Sequence, residues 1–208
     1  MRIELLKAEP DRAGRYWVTL DNGTKMALYR QTVEDFGLYS GMELSDEEFC
    51  QLETAAGAMS AKMRAVRIVA ASTVSKKDLQ QRLIQKGEDP TQAAEAVAWM
   101  AEMNLVDDAE TARQIVSRCA SKGYGLARTK QALYEKKIPK KYWDAALADY
   151  PDQTEHILSF LRSRLEDTSD QKQVKKAIDA LLRRGHSYAE IRSALQQLML
   201  DPDEFPEE

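Results

Sequence analysis

The sequence predicts a mainly α fold: tandem three-helix repeats forming an elongated curved array, with a small N-terminal β segment of a hairpin or three strands. Three observations predict it. A leucine-led motif recurs three times. Apolar residues follow helical spacing from Ser45 onward. Turn-forming Asp21-Asn22-Gly23 sits between the short apolar runs YWVTL and TKMALY near the start. Asn-Gly tolerates φ > 0 at both central positions of a type I′ turn, so this stretch reads as a hairpin. Strands are expected near 2–8, 15–20 and 24–30, and nothing after them carries a strand signal.

Helix begins at Ser45. Ser45-Asp46-Glu47-Glu48 is a capping box, in which the serine oxygen accepts from the third helical amide and Glu48 reaches back. Phe49, Leu52, Ala56 and Met59 follow at helical spacing, and Met63, Val66 and Val69–Ala70 extend the stripe. The segment reads as one long helix or as one broken near Gly57, since glycine costs about 1 kcal/mol relative to alanine inside a helix.

The recurring motif starts at Leu83, Leu133 and Leu181, 50 and 48 residues apart. Counting each leucine as zero, every copy has Lys or Arg at +3, Ala at +13 and Val or Leu at +14. Self-similarity at this period marks a helical repeat array. A helix should end near +3, where a cation meets the negative end of the helix dipole. Gly87 and Gly185 suit the left-handed residue past a helix end, and Lys137 occupies that place in the middle copy. Asp89-Pro90, Pro139 and Ser187 with Glu190 are start signals for the next helix. A third helix, opened by Asp107-Asp108 in the first copy and by Asp152 in the second, is expected to complete each unit. In the last copy the helix holding Val174, Ile178 and Leu181–Leu182 comes first. The resulting division is 1–44 (β segment), 45–72 (linking helix), 73–121, 122–167 and 168–200 (repeats) and 201–208 (acidic tail, DPDEFPEE, expected to fray).

Charge is uneven along the 208 residues. The net charge is −4, yet residues 61–148 carry +6 between flanks of −5 each. Residues 122–141 alone hold Lys122, Arg128, Lys130, Lys136, Lys137, Lys140 and Lys141 against Glu135. Tyr124, Tyr134, Tyr142 and Trp143 are interleaved. Cations among aromatics can meet phosphates and stack on bases; they can equally meet an acidic protein groove and steer association. The plainer alternative is a solvated helix face, with Trp143 in the core beside the equivalent Ala93 and Ile191. The candidate contact residues are therefore Lys122, Tyr124, Arg128, Lys130, Lys136, Lys137, Lys140 and Lys141.

Other features exclude function classes. Asp107-Asp108 reads as a helix cap with first-turn charge rather than as a metal site. Gly123-Tyr124-Gly125 has no preceding strand and no following Gly-Lys-Ser/Thr, so it is a turn between repeats and not a phosphate loop. His156 and His186 lack ligand or triad spacing, and His186, at a turn, is expected to be exposed. No nucleophile–base pair is apparent, so no enzyme, cofactor or metal is expected. Cys50 and Cys119 read as partly buried reduced thiols. No signal peptide or transmembrane run is seen, so a cytosolic protein with no membrane contact is expected. The absence of coiled-coil heptads points to a monomer.

Three segments together resemble the RecX regulatory protein family: Ser75-Lys-Lys-Asp-Leu79 running to Leu83 and Lys86-Gly87; Leu105-Val106-Asp107-Asp108 with Ala112; and Gly123-Tyr124-Gly125 with Arg128, Leu133 and Lys136-Lys137-Ile138. The likeness covers roughly residues 65–200. Tyr16–Leu20, the Asp21-Asn22-Gly23 turn and Gly37-Leu38 with Gly41 resemble the β segment that often precedes such repeats. The chain departs from the family at Thr111, where an aromatic is frequent, at Lys137, where glycine is expected, and in its acidic net charge. The resemblance implies a crescent of three-helix repeats that lodges in the groove of a RecA–single-stranded-DNA filament. It implies that filament extension is blocked and that ATP hydrolysis, strand exchange and co-protease activity are damped. The partners it implies are the RecA filament and, alongside it, single-stranded DNA. The residues themselves leave two alternatives open: a DNA-binding module of tandem helix-turn-helix units, and a helical scaffold for another acidic partner.

Overall fold

A computed structural model describes residues 1–165 and 170–200; the acidic tail at 201–208 and the junction placed at 167/168 lie outside the described residues. The chain divides into two compact units, Met1–Val106 and Asp107–Glu208.

The first unit opens with a three-stranded antiparallel sheet, β1 (Ile3–Leu6), β2 (Arg15–Leu20) and β3 (Lys25–Tyr29), in sequence order. The β2–β3 hairpin turns at the expected Asp21-Asn22-Gly23, but not as the type I′ turn read from Asn-Gly: Gly23 takes φ +82° while Asn22 keeps a negative φ, and the Gly23 amide donates to the Leu20 carbonyl at 2.9 Å, so the loop has three residues and ends in a left-handed glycine. One face of the sheet buries Ile3, Val18, Leu20 and Leu28 against Leu38, Leu44 and Leu52. A short helix that the sequence reading missed, α1 (Arg30–Asp35), follows β3 directly. It has six residues and no side-chain cap, so it carries neither the length nor the end signals that identify a helix in sequence.

Helix α2 (Asp46–Ala71) is one unbroken helix of 26 residues. Its capping box forms as expected, Ser45 Oγ accepting from the Glu48 amide at 3.2 Å and Glu48 Oε2 from the Ser45 amide at 2.8 Å. Gly57 does not break it; the Gln92 side-chain amide of a neighbouring helix lies over the Gly57 Cα, where a Cβ would make it move. The far half of α2 packs Ala61 and Ala65 against α3 (Lys76–Gln85) and α4 (Pro90–Glu102), around Leu79, Leu83, Ala93, Ala96 and Met100.

The second unit contains two further three-helix groups. Helices α5 (Asp108–Ser121) and α6 (Leu126–Glu135) pack with a 3-10 turn, Lys140–Tyr142, and the short α7 (Trp143–Leu147) around Ala112, Val116, Cys119, Leu133 and Ile138. Helices α8 (Thr154–Arg162), α9 (Gln171–Arg183) and α10 (Tyr188–Leu200) enclose Ile157, Leu158, Leu161, Leu181, Ile191 and Ala194. The helix opened by Asp107 thus shares a core with the helices after it, not with α3 and α4, and the one near Asp152 likewise packs with α9 and α10. The expected grouping was one helix out of phase, because a period fixes spacing and not which neighbours share a core. Asp152 still acts at the start of α8, its Oδ1 accepting from the Thr154 amide at 3.2 Å and hydroxyl at 2.8 Å.

The recurrent turn has one geometry in all three copies. The residue at +4 is left-handed: Gly87 at φ +90°, Lys137 at +56° and Gly185 at +87°. The +4 amide donates to the carbonyl at +1 and the +5 amide donates to the leucine carbonyl, at 2.8–3.2 Å throughout. This is the double bond of a Schellman cap. The +5 residue turns inward each time, leaving Glu88 8%, Ile138 4% and His186 4% exposed. His186 was expected at the surface; its place in this turn buries it. The thiols also differ from expectation, Cys50 being exposed and Cys119 buried.

A candidate cationic interface

The cations singled out in sequence fall into four surroundings. Lys136 caps α6, Lys137 holds the left-handed position and Lys140 and Lys141 occupy the 3-10 turn after it. Lys141 lies 4.9 Å from the Tyr142 ring centroid. Trp143 is half-buried and donates from Nε1 to the Ile138 carbonyl at 3.0 Å, in keeping with the core reading. Lys130 lines a concavity of about 400 Å³ that also holds Asp144, Asp152 and Glu190, so acids surround that cation. Lys122 caps the end of α5 and is exposed.

Tyr124 and Arg128 belong to a different place. They form one wall of a cleft of about 600 Å³ whose other walls are α8, α9 and the residues just past them. Phe160 and Arg164 line it from one side, and Lys176, Arg183 and Arg184 from another. None of these five was found in sequence. Phe160 and Arg164 follow an unremarkable helix pattern, and the α9 cations sit one or two turns apart, so only the folded chain brings them to one cleft.

Packed turns hold the cleft in shape. The turn between α5 and α6 docks on the turn between α9 and α10: the Gly125 amide donates to the Arg184 carbonyl at 2.9 Å and the Ala127 amide to the Gly185 carbonyl at 3.2 Å. The first amides of α6 and the last carbonyls of α9 lack partners within their own helices. They satisfy each other here, with the two helix dipoles arranged favourably. A Cβ on Gly125 would strike the Gly185 backbone, and one on Gly185 would strike Arg128. His186 seals the joint, its Nε2 lying 3.0 Å from the Gly123 carbonyl, which makes Nε2 the protonated nitrogen. Burial holds the His186 pKa below its usual value. The Tyr150 hydroxyl donates to the Tyr124 carbonyl at 2.6 Å and lies 2.8 Å from Thr129 Oγ1, and burial pushes its pKa up.

The cleft's electrostatics are one-sided. Its described lining residues include five cations and no carboxylate. Arg128 is paired with Glu135 at 3.1 Å, on its exposed side. Among the described residues no carboxylate pairs with Arg164, Lys176, Arg183 or Arg184. Instead, the Arg184 guanidinium lies 4.5 Å and that of Arg164 5.6 Å from the Phe160 ring centroid. Ring contact of this kind attracts a guanidinium without consuming its charge. Among the described residues no group of three or more His, Cys, Asp or Glu could hold a metal ion. No helix is long and apolar enough to cross a membrane.

Known proteins resemble the chain in sequence and in fold. Residues 107–147, which comprise α5 to α7, match the family model described as RecX, second three-helix domain. The regulatory protein RecX of Clostridioides difficile (strain 630) is 27% identical over 210 residues, covering 98% of this chain and 97% of the relative. That of Xanthomonas campestris pv. campestris (strain B100) is 33% identical over 134 residues, 63% of this chain and 83% of the relative. A crystal structure of regulatory protein RecX superposes with a TM-score of 0.64 at 19% identity, over 92% of this chain and 98% of the other. RecX from Lactobacillus salivarius gives 0.61 at 22%, over 70% and 99%. Fold, repeat phase and sequence agree, and the chain belongs to the RecX family of regulatory proteins.

Proposed function

We propose that this protein binds RecA–single-stranded-DNA filaments and inhibits RecA ATPase, strand exchange and co-protease activity, acting by occupancy as a cytoplasmic regulator of recombination and repair rather than as an enzyme. The observation that carries the reading is the cationic cleft between α6, α8 and α9, whose described lining holds five cations and no carboxylate, set in a chain of net charge −4. Such local charge on an acidic body favours one shaped anionic partner over indiscriminate binding. The turn lysines 136, 137, 140 and 141 extend the cationic surface of the same unit.

The test is RecA ATP hydrolysis on single-stranded DNA, with the protein added below and then at equal stoichiometry. Inhibition is expected, and it should be relieved in a variant carrying Arg183→Glu and Arg184→Glu. Unchanged hydrolysis with the wild-type protein at equal stoichiometry would refute the reading.

A further inference from the structure

We propose that His156, His186 and Gly123 form a proton-sensitive latch between the second and third helix groups, closed while the His186 ring is neutral and released when that ring takes up a proton. The chain has two histidines. They are far apart in sequence, and the fold brings both to one glycine. The His186 Nε2–H donates to the Gly123 carbonyl at 3.0 Å. The exposed His156 ring lies over the Gly123 Cα, where an added Cβ would come within 3.0 Å of the ring's Cγ. Both contacts cross from one helix group to the next. Gly123 belongs to the turn between α5 and α6, His156 to α8, and His186 to the turn between α9 and α10.

The latch works through the second ring nitrogen. His186 is 4% exposed, and its Nδ1 is buried with no hydrogen-bond partner among the described residues. A neutral ring with its proton on Nε2 fits this place. A second proton must sit on Nδ1, where it puts a charge and an unmade donor bond into the closed joint. Water meets that proton once the turns part, so protonation favours the parted state. The charged surroundings do not reverse this. Burial is the main opponent of the proton, and Arg184 at the end of α9 and His156 on α8 oppose it too. Glu190 on α10 favours the proton, but its Oε2 already accepts from the Ser187 amide at 2.6 Å. Lys122 beside Gly123, and Arg128, whose backbone lies against Gly185, add no anion. Tyr150, hydrogen-bonded to the Tyr124 carbonyl, is uncharged in this range because burial raises its pKa. What the latch holds is the docking of the two turns, and with it the Tyr124 and Arg128 wall of the cleft against the walls from α8 and α9. Release separates the cation of one wall from those of the others. As a regulator of the cleft, the latch rests on the filament reading; as a device in the fold, it does not.

The Gly125 and Ala127 amides report the joint directly, since they donate across it to the Arg184 and Gly185 carbonyls. Hydrogen exchange of the full chain, followed by NMR at about pH 7.5 and about pH 5.5 and corrected for intrinsic rates, gives their protection, with the core residues Val116, Leu133 and Leu161 as references. The joint amides are expected to exchange through a local opening, with less urea dependence than the core amides. Below the ordinary histidine value of 6.5, docking weakens by about tenfold for each pH unit lost until the folded value is passed. The expected fall in protection at the two amides is therefore about fivefold to tenfold. His186→Gln should abolish it, since a glutamine amide can donate to Gly123 but takes up no proton. Should that variant fail to fold, two others carry the test. His156→Gln should lessen the fall by removing an opposing charge, and Glu190→Gln should deepen it by removing a favouring one. Protection independent of pH, a fall unmoved in the folded variants, or joint and core amides sharing one protection and one urea dependence would overturn the proposal. RecA takes no part in the measurement, so failure of the latch and failure of the filament reading are told apart.

Discussion

The groove between α2 and α3 in the first unit and the cleft beside α8 and α9 in the second stand at equivalent places in the repeat. Both are concave and both are lined with cations: Arg64, Arg67, Arg82 and Lys86 in one, Arg164, Lys176, Arg183 and Arg184 in the other. They differ in what answers the charge. In the first groove Glu88 takes Arg64 at 2.6 Å, Asp78 takes Arg82 at 2.9 Å, and Arg67 donates to the Tyr29 hydroxyl at 3.1 Å. At the places of Asp78 and Glu88 the last repeat carries Lys176 and His186. One fold thus gives a cross-braced groove and an electrostatically open one, and two substitutions in the repeat account for much of the difference. Among the described residues, no carboxylate pairs with Arg164, Lys176, Arg183 or Arg184 in the second.

The largest expected effect concerns the turns. Gly185→Ala pushes a methyl into the Arg128 backbone at a left-handed φ, so a loss of about 3–4 kcal/mol is expected for the second unit. Gly87→Ala meets open space at a similar φ and should cost only about 1 kcal/mol. Urea unfolding of the two variants measures the difference, and equal losses would show that the docked turns contribute nothing. Next comes the brace of the first groove. Glu88→Gln leaves Arg64 facing a neutral group and should cost about 2 kcal/mol, read from the same denaturation midpoint.

A smaller effect follows from His186. Its pKa is lowered by burial, so between the ordinary value of 6.5 and the folded value the unfolded chain binds more protons. Stability contributed by the neutral ring is present above that window and is lost as pH falls through it. Glu190, which favours protonation, and Arg184 and His156, which oppose it, are the charged groups acting on the ring. Thermal midpoints of the wild type should drop between pH 7.5 and 5, and His186→Gln should flatten the drop; an unchanged slope would remove this histidine as its cause. The smallest change is a gain. Lys137→Gly at φ +56° should stabilise the middle turn by about 0.5–1 kcal/mol, detectable as a higher urea midpoint, and a loss would mean that the lysine side chain contributes more than its backbone strain costs.

Local chemistry made most of the architecture legible in the sequence. The Asn22-Gly23 hairpin, the Ser45–Glu48 box, the Asp89-Pro90 start and the three Schellman turns each depend on a few adjacent residues, and each forms where its residues stand. What escaped depends on distance. The phase of the helix groups is set by which apolar faces meet, as when α5 buries Ala112 and Val116 against Leu133 rather than against Leu83. The cleft escaped for the same reason: Arg128, Phe160 and Arg184 are far apart in the chain and share no local motif. Of the residues picked by charge density, Tyr124 and Arg128 line it, while Lys130 sits among acids. Clustering in sequence is a poor guide to clustering on a folded surface when a helix turns side chains by about 100° per residue.

The single long helix α2 has a consequence for how such a protein can be trimmed or extended. Leu52 belongs to the core of the β-sheet, and Ala61 and Ala65, about three turns on, belong to the first three-helix group. One rod is therefore a structural member of two cores at once. A truncation anywhere within Asp46–Ala71 removes a wall from one of them and strands the other's buried face. At Val106–Asp107, by contrast, the chain passes between two units that each keep their own cores. A cut or insertion at that joint is expected to leave both sets of cores intact, whereas the N-terminal sheet and the first helical group share α2 and stand or fall together.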